Sequence, residues 1–312
     1  MISAVIKYKD NKVSVHSSEA QWVGEKFQKG FYRALTIDSR LEITEITIPE
    51  IHNPFSTKDT NLVITTTDAF FKEGIRERVS QLGFIHKLGV LLHGKQGCGK
   101  TSLMHFIAKR MVEMQDAIVI MCDSSNSLST GIQLASSIRE IQNNPIIFIS
   151  DEFEQYCRDA ESALKNFLDG KDSVENSLFL AATNYIDKVP DTLKDRPSRF
   201  KLVMNMKGID NKKLMKTILM DISHRIHPNL FTIEEVDEIV KGIKETTLDK
   251  LKHICLDKVT DTFIPEAMLK RASIGFKSSS INEEEEEVPV INWGWLFSKS
   301  KSQEPTNTKS NI

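Results

Sequence analysis

The sequence predicts an α/β fold, a parallel sheet packed between helices, with a short β-rich module ahead of it and a small all-helical lid behind. Three observations predict this. Short apolar runs ("GVLLH", "AIVIM", "IIFIS", "LFLAA") alternate with helical segments through the middle of the chain, the pattern of βαβ units whose sheet is covered on both faces. After about residue 208 such strands cease and amphipathic helices follow. Between the first apolar run and its helix lies a glycine-rich turn, "GKQGCGKT".

In chain order, residues 1–60 carry short β-like signals. "AVIKYKDNKVSVHS" reads as strand, Asp-Asn turn, strand, and "RLEITEITI" alternates apolar with polar. "TDAFFKEGIRERVSQLGF" reads as one helix capped by Asp68 that tolerates Gly74. Residues 61–207 form the expected large domain, and 208–277 the lid. In "DNKKLMKTILMDISHRI", Leu214, Met215, Ile218, Leu219 and Ile222 share one helical face. "TIEEVDEIV" opens on a capping box, Thr232 with Glu235, and "TTLDKLKHICLDKV" repeats it with Thr246 and Asp249. Residues 278–312 combine an acidic run with a polar end and are expected to be disordered. Within them Trp293, Trp295, Leu296 and Phe297 are either a stray apolar cluster or a docking peptide with aromatic anchors.

Composition narrows the function classes. A formal net charge of −2 over 312 residues gives no surface devoted to nucleic acid. Cys98, Cys122, Cys157 and Cys255 are scattered and form no CxxC pair, which favours a reducing, cytoplasmic setting. The apolar runs are too short for a signal peptide or a membrane span. Frequent Lys, Ile, Asn and Ser suit an AT-rich genome, such as a virus's.

The glycine-rich turn fits GxxxxGK[ST] from Gly94 to Thr101. Gly94, Gly97 and Gly99 let the backbone approach a phosphate closely, with Cys98 as a small residue between them. Lys100 neutralises charge on the β- and γ-phosphates of a nucleotide, and the Thr101 hydroxyl can hold Mg²⁺. Ser102 and the residues after it open a helix whose first amides favour an anion. One βαβ step further on, "NPIIFISDEFE" ends a strand in Asp151, which suits Mg²⁺, and Glu152, which suits activation of water. "LFLAATNYID" ends another strand in Thr183 and Asn184, where an amide can sense the γ-phosphate. "DTLKDRPSRF" places Arg196 and Arg199 in a proline-containing loop, as ordinary ion pairs or as charges lent to a neighbouring subunit.

"GKQGCGKT", "IIFISDE", "ALKNFLDG", "LFLAATNYIDKV" and "RPSRF", in this order over roughly residues 60–260, resemble the AAA family of ATPases in the strict sense. "GIRERVSQLGFIHKLGVLLHGKQGCGKTS" is most similar to the branch of the mitochondrial chaperone that translocates the Rieske iron–sulfur protein. The resemblance implies a P-loop nucleotide domain, a helical lid, and a ring of like subunits, usually six, with ATP and Mg²⁺ at each interface. It assigns Lys100 and Thr101 to the P-loop, Asp151 to the metal, Glu152 to catalysis, Asn184 to the first sensor, and Arg196 and Arg199 to arginine fingers.

The sequence departs from that pattern in several places. Lys95 and Gln96 stand where prolines are usual, and Lys201 replaces the usual Asp. "CDSSNSLSTGIQL" lacks the aromatic residue with which threading members grip peptide; Leu128 is the sizeable apolar residue there. The branch's membrane anchor has no counterpart. A zinc site from His224, His227, His253 and Cys255 meets no ligand spacing, and a lowered pKa at Cys98 is the lesser reading of that residue. The expected activity is therefore Mg²⁺-dependent ATP hydrolysis by a ring that remodels a partner protein. Its rivals are a DNA-directed motor or loader, and a scaffold ring that nucleotide merely stabilises.

Overall fold

The computed structural model describes residues 4–9, 12–17, 27–37, 40–48 and 57–263. The acidic run, the aromatic cluster at 293–297 and the end of the expected lid lie outside the described residues. Four strands come first: β1 (Ala4–Lys9), β2 (Lys12–Ser17), β3 (Gly30–Ile37) and β4 (Arg40–Glu45). They pair antiparallel as β1–β2, β2–β4 and β4–β3, and β3 then pairs parallel with β6 (Ile118–Met121), Gly30 opposite Ile118. The N-terminal strands thus extend the main sheet.

The helix expected to be capped by Asp68 is capped eleven residues earlier, at Thr57. In α1 (Lys58–Phe70), Thr57 caps the first turn and Thr60 returns the bond. A threonine takes the part usually played by glutamate, so the usual sequence signature is missing. Asp68 lies inside α1 and pairs with Arg110 through two bonds of 3.2 and 3.1 Å. The chain turns at Gly74 (φ 79°), which splits off α2 (Ile75–Gln81) as a separate helix.

Next follow β5 (Lys87–His93), α3 (Lys100–Gln115), β6, α4 (Ser125–Ile141), β7 (Ile146–Ser150), α5 (Glu161–Asp169), β8 (Ser177–Thr183), α6 (Asp191–Lys194) and β9 (Leu202–Asn205). The sheet runs β1-β2-β4-β3-β6-β7-β8-β5-β9, mostly parallel. Both faces of its centre are buried, and side chains alternate between them as a strand's period of two requires. Ile146 and Phe148 enter one core with Phe153, Phe167, Phe179 and Phe200. Ile147 and Ile149 enter the other with Leu103, Met104 and Ile107 of α3. Leu128 belongs to the first core and is fully buried in α4.

Because β8 inserts between β7 and β5, the loops leaving these three strands emerge side by side at their C-terminal ends. His93 lies opposite Thr183, and Ser150 opposite Ala181. β6 and α4 precede β7 in the chain, so the acidic pair follows the phosphate loop by two βαβ steps rather than the one expected.

Three helices, α7 (Lys212–Ile226), α8 (Ile233–Gly242) and α9 (Leu248–Phe263), share a core of their own built on Met215, Ile218, Leu219, Val236, Val240 and Leu251. Leu214 and Ile222 pack against it half-buried. The Thr232–Glu235 capping box forms. The one expected at Thr246 does not. Thr246 is buried and bridges to Ile209, while the Thr247 hydroxyl accepts the Lys250 N–H at 3.4 Å. Among the described residues no helix is long and apolar enough to cross a membrane.

Candidate nucleotide site

The chain leaves β5 at His93 and enters α3 at Lys100 through a loop in which Gly97 and Gly99 take φ values of 77° and 87°. Only glycine adopts this left-handed region at no steric cost, and the loop's amides are thereby freed from the strand ladder. A methyl group on Gly97 would also lie 2.7 Å from Cβ of Asp249, whose own N–H donates to the Gly97 carbonyl at 3.2 Å. The start of α9 therefore rests directly on the phosphate loop.

Lys100 is only 6 % exposed. Its ammonium donates to Gly94 O at 2.9 Å, Lys95 O at 3.0 Å and Asn184 Oδ1 at 2.8 Å. Burial pulls its pKa below the usual lysine value, partly offset by the nearby Cys98, Asp151 and Glu154. Thr101 donates its hydroxyl to Asp151 Oδ2 at 2.6 Å, and Asp151 Oδ1 accepts the Glu152 N–H at 3.0 Å. A hydroxyl beside a carboxylate is a hard oxygen donor set, which fits Mg²⁺.

Glu152 sits at φ 49°, ψ 41°. This left-handed conformation is unfavourable by about 1–2 kcal/mol for a residue with a Cβ. It ends β7 abruptly and starts a single 3₁₀ turn, Phe153–Gln155. That turn swings Gln155 back so that its side-chain amide donates to the Glu152 carboxylate. Glu154 accepts the Asn184 N–H at 3.4 Å. Neither Glu154 nor Gln155 stands out in the sequence; their spacing in "DEFEQ" is visible there, but the 3₁₀ turn that makes it meaningful is not.

Gly97, Gly99, Lys100, Thr101, Asp151, Glu152 and Asn184 line one cavity of about 260 Å³. A larger cleft of about 1150 Å³ continues from Cys98, Gly99, Thr101 and Ser102 toward Thr57, Gly208, Ile222 and Ile226. Lys252 borders both. Gln96 lines the smaller cavity, and Lys95 reaches Glu245 at 3.4 Å. Burial pushes the Cys98 thiol's pKa up, more than Lys100 and Lys95 pull it down, so the lowered value is not found.

The two arginines part company. Arg196 is exposed (side chain 63 %), whereas Arg199 is 6 % exposed. Arg199 donates Nε to Asp169 Oδ2 at 2.9 Å and an Nη to Thr192 O. Both are absent from the wall of the phosphate cavity. Lys201 lies 5.6 Å over the Phe70 ring. Among the described residues no group of three or more His, Cys, Asp or Glu side chains could hold a metal; His253 meets Asp249 at 3.8 Å and Cys255 is buried.

A comparison with curated proteins gave no match. The likeness to the Rieske-translocating branch gains no support from the family comparison. Residues 90–208, from inside β5 to just past β9, match the model of the ATPase family associated with various cellular activities (AAA), so this stretch is similar to that family's ATPase domain in sequence, as it is in fold, and nucleotide is the ligand the match implies.

Proposed function

We propose that the protein hydrolyses ATP with Mg²⁺ at sites shared between like subunits of a ring, six being the family's usual number, and that turnover remodels a partner protein. The observation that carries the reading is the single cavity walled by Gly97, Lys100, Thr101, Asp151, Glu152 and Asn184. These residues come from three loops distant in sequence and adjacent in the sheet.

In this reading the loop amides and Lys100 bind the β- and γ-phosphates, and the adenosine lies in the larger cleft. Thr101 and Asp151 would hold Mg²⁺, which supplies charge neutralisation between β- and γ-phosphoryl oxygens when bound. Asn184, tied to Lys100, orients the γ-phosphate end. Glu152 takes a proton from water as the water oxygen attacks the γ-phosphorus. The bond to the β–γ bridging oxygen breaks, leaving ADP and inorganic phosphate. Gln155 holds the Glu152 carboxylate in place. Arg196, exposed at the surface and 3.8 Å from Asp169, would lend its charge to a neighbour's nucleotide.

ATP turnover by the full chain tests the chemistry. Glu152→Gln should bind ATP and not turn it over, whereas normal turnover in that variant would overturn the assignment. Sedimentation with and without ATP tests the ring. A particle that stays a single subunit at every concentration would remove the shared site. Capture of a partner by the Glu152→Gln trap, released on reversion to Glu, tests remodelling.

A further inference from the structure

Two arginines stand three residues apart in one turn, and their surroundings differ. The turn is closed by Arg199 N–H and Phe200 N–H, both donating to Arg196 O at 2.9 and 3.1 Å. Its inner side is pinned at three points. Arg199 is bonded to Asp169, the last residue of α5, and to Thr192 O. Ser198 donates to the same Asp169 oxygen at 3.2 Å. Phe200 is buried in the first core, with its ring 5.9 Å from both Phe153 and Phe179.

The backbone of this turn also lies on the phosphate-loop strand. A Cβ placed on Gly89 of β5 would overlap the Arg199 carbonyl oxygen and lie 3.2 Å from Phe200 Cα. Glycine is required there by close approach alone. The turn therefore touches the strand that ends in the phosphate loop, and through Phe153 it touches the residue next to Glu152. Arg196 meets the same Asp169 oxygen only at 3.8 Å, and its side chain is 63 % exposed.

We infer that Arg199 is a positioning residue rather than an arginine finger: its own burial and its bond to Asp169, seated on Gly89, fix the turn that presents Arg196 to the next subunit. The inference rests on the shared-site reading above. A buried guanidinium whose charge is already met by a carboxylate has little left for a phosphate, and withdrawing it would strand Asp169 without its partner. Arg196 meets that carboxylate only at 3.8 Å and from an exposed position, so its hold on it is weak. The pair also links the turn to the subunit's own site, because Gly89 and Phe153 belong to the elements that carry the phosphate loop and Glu152.

Steady-state ATP turnover and amide hydrogen exchange on the full-length protein test this together. Arg196→Ala should lower kcat by about 10³-fold with KM for ATP little changed, the size of effect that a lent arginine has elsewhere. Arg199→Gln and Asp169→Asn should each lower kcat by about tenfold, again with KM held, and the double variant should fall no further than either single one, as expected for two groups acting as a unit. In both single variants the backbone amides of positions 199 and 200 should exchange at least tenfold faster while those of β8 keep their protection; a general loss of packing would speed both.

Normal turnover in Asp169→Asn with a fall in Arg199→Gln as deep as that of Arg196→Ala would overturn the inference, since Arg199 would then act on the nucleotide directly. Unchanged exchange at Arg199 and Phe200 in Asp169→Asn would overturn it as well. If the unsubstituted protein fails to hydrolyse ATP, the ATPase reading falls by itself, and the exchange comparison still decides whether Asp169 holds the turn.

Discussion

Lys100 and Arg199 are equally hidden, each 6 % exposed, yet the protein surrounds them differently. Lys100 is bonded to two backbone carbonyls and an amide oxygen, all neutral acceptors. Among the described residues no carboxylate bonds it directly, and Asp151 and Glu154 act on its charge only from nearby. Arg199 has a carboxylate at 2.9 Å. For Asp169, burial pushes the carboxyl's pKa up, but the hydrogen bond and charge of Arg199, with the Ser198 hydrogen bond and the Lys87 charge, together bring the net shift downward. Burial therefore tells little about the role of a cation. What matters is whether its partner is charged: a cation held by carbonyls keeps its field for an anionic ligand, and one held by a carboxylate becomes part of the frame.

The contrast can be broken from either side. Lys100→Ala removes the cation that no carboxylate among the described residues bonds directly, and ATP turnover should fall by at least about 10³-fold. The rise in melting temperature on adding ATP should vanish too, which a calorimetric scan would read. A retained ATP-induced shift would mean that the loop amides alone bind the phosphates. Glu152→Gln leaves the cradle intact, so kcat should drop by about 10²–10⁴-fold while the ATP-induced shift persists.

Gly89→Ala tests the seat of the turn without touching any charge. The new methyl group would overlap the Arg199 carbonyl oxygen, so backbone must move. A loss of about 1–3 kcal/mol in urea unfolding is expected. Tolerance of that change would show that the turn does not rest on β5 as described. Gln155→Ala frees the Glu152 carboxylate. The hydrogen bond lost is worth about 1 kcal/mol, so kcat should fall several-fold in steady-state turnover, with KM for ATP held.

The smallest effect concerns Lys87, which donates to Ser173 at 3.0 Å near the arginine turn. Burial pulls its pKa down to about 8, with Asp169 opposing and Arg199 reinforcing the fall. A lysine with its pKa lowered by folding binds fewer protons in the folded state than in the unfolded one. Its contribution is therefore unfavourable below about pH 8, and stability should rise as pH climbs from about 8 toward 10.5. Urea midpoints across that range should climb in the unsubstituted protein more than in Lys87→Met. Parallel slopes would mean that Lys87 is solvated after all.

Much of the site is legible in the sequence because local chemistry constrains it. The phosphate loop needs glycines and a lysine within eight residues, and a strand ending in Asp151-Glu152 advertises itself by apolar run and acid pair. The helix boundaries at Thr57 and Thr247 escape such a reading because their caps use Thr60 and a plain hydroxyl in place of glutamate. Gln155 escapes it because its meaning depends on the left-handed Glu152 that curls the chain back. Arg199 looks like Arg196 in the sequence because three residues of separation say nothing about which one is buried and bonded to Asp169.

The sequence alone determined the α/β alternation, the phosphate loop and the acidic pair. Each is set by periodicity or by contacts among near neighbours in the chain. Tertiary structure decided the insertion of β8 between β5 and β7, which brings Asn184 to Lys100, and the burial of Arg199 against Asp169 over Gly89. Those facts depend on strand order and on which surfaces meet, and packing across long sequence distances is a property of the whole folded chain rather than of any segment of it.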